Sequence, residues 1–344
     1  MLKKIKISIS RISSYYRYIL KAEKSFNINI FTAIKIKLKG FTPDQYVLYG
    51  FNKNNKPENY ITEVERWRSR EINSYYIKVL DDKLLFPEMF DKYIDIPKNL
   101  FWVKENKILD MQGNLLSDKE LADIIQNNQL FFMKPVIGGG GRGVYKIGFK
   151  NGYFLNDDLI DFDNLLDYLK QENNYVATEG IHEQHYYAKQ IYPNSINTIR
   201  VLTIYDSINN TITIPEALHR FGTNKTQPVD NASLGGLFAL IDVENGIISE
   251  AKSYNNKTYE VHPDTQMMIE GQKVPKWEEL KEMCISVASK FSYIPYMAWD
   301  IVITENGFKV IEINASTDLT LVQMWDGKRN SELGKFFKTE KIIK

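Results

Sequence analysis

Apolar residues recur at helical spacing early in the chain, where Tyr15, Tyr16, Ile19 and Leu20 share a face. Shorter helical segments follow over 42–48 and 61–75, and Pro97 marks a change to more extended structure. Beyond residue 100 the pattern differs. The run 130–136 (LFFMKPV) is short and apolar, as a buried strand would be, and the glycine-rich stretch 138–143 (GGGGRG) ends it. Residues 144–150 alternate with period two, Asn151-Gly152 signals a tight hairpin, and 153–155 returns as a strand. Phe162, Leu165, Leu166 and Leu169 give helical spacing over 161–171, and 175–179 reads as another strand. Later strand-like runs cover 198–205, 211–218, 236–242 and 298–304, and 309–314 follows a second hairpin signal, Asn306-Gly307. One clear helix, 277–291, lies among them. Antiparallel hairpins interrupted by a few helices predict an α+β architecture, not a doubly wound parallel sheet.

Composition narrows the class. At 344 residues there is room for roughly two or three domains, and 43% hydrophobic with 25% charged residues suits a protein with a sizeable core. A net charge of +1 favours neither nucleic acid nor acid-rich partners. The charge is uneven, however. Residues 1–40 hold ten Lys/Arg and one acidic residue, Glu23, which leaves the remainder of the chain at about −8. Ser8, Ser10, Arg11, Ser13 and Ser14 interrupt the first stretch, so it lacks the apolar run of a signal peptide, and no window suffices to span a bilayer. Cys284 is the single cysteine and falls inside the 277–291 helix, where it reads as a core residue. A disulfide framework is excluded, a reducing cytoplasm fits, and the four histidines show no zinc spacing.

Two constellations carry candidate chemistry. Gly138, Gly139, Gly140, Gly141 and Gly143, with Arg142 among them, let the backbone approach a phosphate and aim several N–H groups at it. The stretch lacks the Lys-Ser/Thr ending of a Walker loop and joins strand to strand, which fits a flap folding over a nucleotide or a plain surface turn. Lys134 favours the flap, because a lysine inside an apolar strand needs an anion. In the second constellation, Glu312 and Asn314 lie two apart on one strand and therefore on one face, and Asp300 meets them from the preceding strand. Two carboxylates and an amide oxygen suit Mg²⁺ shared with nucleotide phosphates.

In this order, Lys134-Pro135, the glycine flap, a strand ending at Glu179, and Asp300 with Glu312-Ile313-Asn314 resemble the ATP-grasp proteins. The resemblance is strongest to the sugar-transfer-associated branch, implicated in making surface polysaccharides. Asp82-Lys83, Asn197-Thr198-Ile199-Arg200, 217–222 (ALHRFG), Asp230-Asn231, Gly235-Gly236 and 262–265 (HPDT) support it, so that it covers about residues 80 to 320.

The resemblance implies two α+β lobes clasping ATP. A mainly helical region (1–100) would precede a small lobe with the flap (101–180) and a large lobe with the metal site (181–344). Lys83 and Lys134 would face the nucleotide, with the 138–143 flap over its phosphates. Glu179 and Ile181 would read adenine and Glu183 the ribose, and Asp300, Glu312 and Asn314 would hold one or two Mg²⁺. One departure stands out. Relatives like D-alanine ligase carry an arginine two residues before the first metal aspartate, where this chain has Ala298. A cation near the transferred phosphate must come from elsewhere, and Arg200 and Arg220 are the candidates.

The implied reaction is ATP-dependent carboxylate–amine ligation through an acyl phosphate, joining an amino acid or similar group to a surface glycan or its precursor. A kinase acting on a sugar or polyol hydroxyl is the alternative on the same fold, and a non-catalytic nucleotide-binding module is a third. His219 and His262 read either as bases or as loop-orienting residues, and His182 and His185 as solvated. Asp230-Asn231 and Gly235-Gly236 bracket a loop that either closes over the acceptor or simply connects. The basic N-terminus is either a solvated face packing on the fold or a peripheral contact with an anionic membrane.

Overall fold

A computed structural model describes residues 19–156 and 158–343; Tyr15 and Tyr16 lie outside them. Two seven-stranded antiparallel sheets organise the chain. The first contains β1 (Asn99–Lys104), β2 (Lys107–Leu109), β3 (Leu130–Pro135), β4 (Tyr145–Phe149), β5 (Tyr153–Leu155), β6 (Asp158–Ile160) and β7 (Tyr175–Glu179). Their spatial order is β2-β1-β7-β3-β4-β5-β6. Two helices, Asp118–Asn128 and Phe162–Gln171, cover one face. Ser117 and Glu120 close a capping box on the first, and Asp161 caps the second. Leu121, Ile125, Leu165 and Leu169 are buried against Phe101, Phe131, Met133 and Ile147, each worth about 1.5–3 kcal/mol. Gly148 is required in β4, since a Cβ there would stand 1.9 Å from the Gln129 carbonyl oxygen.

The second sheet contains β8 (Ile199–Asp206), β9 (Thr211–Phe221), β10 (Leu237–Ile241), β11 (Ile248–Lys252), β12 (Thr258–Tyr259), β13 (Tyr296–Ile303) and β14 (Phe308–Asn314). The order is β12-β11-β10-β9-β8-β13-β14. Every residue of β13 is buried, because both faces of this sheet are covered. On one side lie the helices Leu85–Phe90, Tyr186–Ile191 and Trp277–Lys290, with Phe90, Ile191, Leu280 and Cys284 inward. On the other lie Phe41, Tyr49, Tyr60 and Ile61 with Phe336 and Phe337 of the helix Glu332–Thr339. The described helices between residues 30 and 90 thus pack on both faces of the larger sheet. Gln323 fastens them there, its amide donating to the Ile61 carbonyl at 3.0 Å and accepting from the Ile61 N–H at 2.8 Å.

The α+β expectation holds, and the 138–143 stretch joins the antiparallel neighbours β3 and β4. Asn151, with φ 59°, closes the β4–β5 hairpin as its signal indicated. The strands β1, β2, β6, β11 and β12 and the helices 118–128 and 332–339 were not among the sequence expectations. The strands are short, and the edge pieces β6 and β12 bury no side chain, so they carry little periodic signal; the two helices are capped and amphipathic, and their spacing was there to be read. Among the described residues no helix is long and apolar enough to cross a membrane.

Candidate active site

The two sheets border a cleft of about 430 Å³. It is lined by Lys83, Lys134, Gly138 to Gly141, Arg142, Glu179, Ile181, Arg200, Arg220, Asp300, Glu312 and Asn314. Gly143 and Glu183 are not among its lining residues. Gly143 lies at the flap's end, where a Cβ would meet the Tyr175 hydroxyl at 2.5 Å. Glu183 is exposed on the following loop, 3.5 Å from the Asn306 amide.

Strand register builds the charged floor. Arg200 on β8 pairs with Asp300 on β13, and Asp300 pairs with Glu312 on β14. The three side chains therefore stand side by side. Arg200 donates to both Asp300 oxygens, Nε at 2.5 Å and Nη2 at 2.7 Å, and its Nη1 donates to Thr317 Oγ1 at 2.7 Å. Arg220 Nη2, from β9 on the far side of β8, approaches Asp300 Oδ2 at 3.2 Å. Burial alone would raise the Asp300 pKa, but the two guanidiniums outweigh it and hold the carboxyl well below the usual range. Glu312 has the opposite balance: burial, then the neighbouring Asp300 charge, push it up. Asn314 Nδ2 donates to Glu312 Oε1 at 3.0 Å, which orients the pair. A buried carboxylate pair whose second member is under-compensated is what a divalent cation relieves, so these donors fit Mg²⁺. Ala298 is fully buried beside Leu202, Leu218 and Tyr296, on the same face of the sheet as Asp300 and cross-strand from Asn314. The guanidinium beside Asp300 is supplied from β8 instead.

Opposite this floor, Lys134 projects from β3 with no hydrogen-bond or ion-pair partner among the described residues. Burial lowers its pKa to about 8. An unpartnered, desolvated ammonium is prepared for an anion. Lys83 Nζ donates to the Gly138 carbonyl at 2.7 Å and so braces the root of the flap. Glu179 ends β7 with its carboxylate 3.5 Å from Lys309 Nζ, beside apolar walls from Phe132, Ile181 and Ile311.

Thr317, Tyr254 and Asp318 escaped the sequence reading, and Thr198, Asp230 and Asn231 entered it only as motif members. Asp230 is buried, and its Oδ2 accepts from the Thr198 N–H at 2.8 Å and hydroxyl at 2.5 Å. The same Thr198 oxygen accepts from Arg220 Nε at 2.8 Å. Asn231 next door donates to the Gly140 carbonyl, so the flap is latched onto the larger lobe. Tyr254 donates to Asp318, and both line the cleft. Asp230-Asn231 was visible as a motif, but the register that makes it hold Arg220 was not.

The histidines are not part of the cleft lining. His219 is 1% exposed and burial lowers its pKa to about 3, so it stays neutral against Tyr187. His262 Nε2 contacts the Gly222 carbonyl at 2.8 Å and its Nδ1 accepts from the Asp264 N–H, the loop-orienting role. His185 caps the helix Tyr186–Ile191, while His182 is exposed. Burial raises the Cys284 thiol, as a core position requires.

One family profile, sugar-transfer associated ATP-grasp, matches residues 65–333. No curated protein matches the chain. Among solved structures it is similar to the ADP complex of purK, N5-carboxyaminoimidazole ribonucleotide synthetase, at 9% identity and TM-score 0.41, covering 71% of this chain and 46% of that one. For the ATP-grasp ligase PsnB with its minimal precursor the values are 15%, 0.37, 72% and 55%. For the L-amino acid ligase from Bacillus licheniformis they are 10%, 0.40, 73% and 44%. The matched part of this chain thus corresponds to about half the length of each.

Proposed function

This chain belongs to the sugar-transfer associated ATP-grasp family, and from that premise we propose that it is an ATP-dependent carboxylate–amine ligase. Its product would be an amide on a cell-surface polysaccharide or its precursor. The observation that carries the proposal is the meeting, in one cleft, of an unpartnered Lys134, a glycine flap and the Arg200–Asp300–Glu312 ladder.

Each part has a physical task. The flap's backbone N–H groups and Lys134 take the phosphate oxygens, Glu179 and Ile181 border the base, and closure excludes water. Asp300, Glu312 and the Asn314 amide oxygen would hold Mg²⁺, which when bound neutralises phosphate charge. Arg220, held by Thr198 beside Asp300, faces the transferred phosphate. Arg200 is committed to Asp300 and Thr317 and acts as a positioning residue. An acid's carboxylate oxygen attacks the γ-phosphorus and the bond to ADP breaks, leaving an acyl phosphate. An amine nitrogen then attacks the acyl carbon, phosphate departs, and the nitrogen loses a proton. No covalent enzyme residue is needed; positioning and charge neutralisation suffice.

The test is product analysis with Mg·ATP and a panel of amino acids and sugar acids, with hydroxylamine as surrogate amine. Ligation gives ADP, free phosphate and a hydroxamate, all dependent on the acid. A stable phosphorylated sugar or polyol without free phosphate would establish a kinase instead.

A further inference from the structure

The helix Ile30–Leu38 lies far in sequence from every cleft residue, and it presents two apolar faces. Ala33 and Ile36 are buried on the protein. On the opposite side Ile30, Phe31, Ile34 and Leu38 are 59%, 77%, 50% and 76% exposed. At 100° per residue these four fall within about 100° of arc, a continuous stripe. Lys35 and Lys39 flank it on one edge and are exposed, and Lys37 lies on the other. Lys37 donates to the carbonyls of Leu20 and Ala22 at 2.7 and 2.8 Å, which fastens the helix to the preceding segment. A 9-residue helix that exposes four large apolar side chains needs an explanation, since isolated apolar residues are ordinary but a rimmed stripe is not.

We propose that this stripe is an interfacial anchor for an anionic lipid bilayer. Charge complementarity selects the occupant. Residues 1–40 contain ten Lys/Arg against one Glu, and five of those cations (Lys3, Lys4, Lys6, Arg11, Arg17) precede residue 19. Apolar side chains bordered by lysines match the boundary between headgroups and acyl chains, with the cations among anionic headgroups. A second copy of the chain would instead bring two such basic segments together. The inference does not depend on the ligase reading. It adds a place of work: a surface that carries lipid-linked molecules.

The test is co-sedimentation of the full chain with phosphatidylcholine vesicles and with vesicles containing about 30% phosphatidylglycerol. Partition onto the anionic vesicles is expected to be at least about tenfold stronger and to fall at high salt. Phe31→Ser with Leu38→Ser is expected to lower it about tenfold without changing the thermal midpoint or ATP turnover. Lys35→Glu with Lys39→Glu is expected to erase the preference for anionic vesicles. Equal or negligible partition onto both vesicles overturns the proposal, as does a Phe31/Leu38 variant that binds like the wild type. Dimerisation abolished by that variant would assign the stripe to a second copy. A lowered thermal midpoint with unchanged partition would assign it to the chain's own first residues.

Discussion

Lys134→Met separates what the cleft costs from what it does. The lysine is ionised at neutral pH although burial brings its pKa from an ordinary 10.5 to about 8. At about 1.4 kcal/mol per pH unit, the folded state carries roughly 3 kcal/mol of uncompensated desolvation at pH 7. Methionine keeps the apolar stem and removes the charge, so without nucleotide the variant should be more stable by about 2–3 kcal/mol. The sign has a pH signature. With the folded pKa depressed, the unfolded chain binds more protons between about 8 and 10.5, so wild-type stability rises through that window. The variant's advantage should therefore shrink toward zero above pH 10.5. Denaturant midpoints measured in parallel at pH 7 and at the alkaline end check this, since other titrating groups cancel in the difference. With Mg·ATP at about a hundred times Kd the wild type should gain about 2.7 kcal/mol, and the variant almost none. A variant less stable at pH 7, a difference that does not change with pH, or an undiminished nucleotide effect would each refute the reasoning.

Glu312→Gln should leave the far-ultraviolet spectrum unchanged and lower Mg-dependent ATP turnover by about a hundredfold or more; unchanged turnover would remove Glu312 from the metal site. Thr198→Val removes the oxygen that accepts from Arg220 and should reduce kcat about tenfold with the KM for ATP within about twofold. A change confined to KM would mean that Arg220 serves ground-state binding. Cys284→Ser should cost about 1–3 kcal/mol of stability, measured by denaturant midpoint, with kcat unaffected. The wild-type thiol should resist alkylation until the chain unfolds.

The residues legible in the sequence were those whose meaning is local. Lys134 in an apolar strand, Glu312 and Asn314 two apart, and the glycine run each show their chemistry within a few positions. Arg200 was named with Arg220 as a candidate for the transferred phosphate, and its guanidinium grips Asp300 from the adjacent strand, a contact the sequence did not show. That contact comes from register between residues a hundred positions apart, which periodicity does not encode. Asp230 was read only as part of a loop motif for the same reason: its partners Thr198 and Arg220 reach it only when β8, β9 and the 228–233 loop are assembled. His219 and His262 were ambiguous because a histidine's role depends on its surroundings, and both lie buried outside the cleft lining, against Tyr187 and the Gly222 carbonyl.

The residues that fasten the first helices to Gln323 have a practical consequence. The family profile begins at residue 65, yet Phe41, Tyr49, Tyr60 and Ile61 are at most 4% exposed within the core that supports Thr320 and the cleft floor. It ends at 333, and Phe336 and Phe337 close that same core. A fragment cut to the recognisable boundaries would leave an apolar wound on the larger sheet, and should be recovered as aggregate. Limited proteolysis should, conversely, spare the 41–61 segment for as long as it spares β13. Recognition by sequence and cooperativity of folding therefore set different boundaries on the same chain.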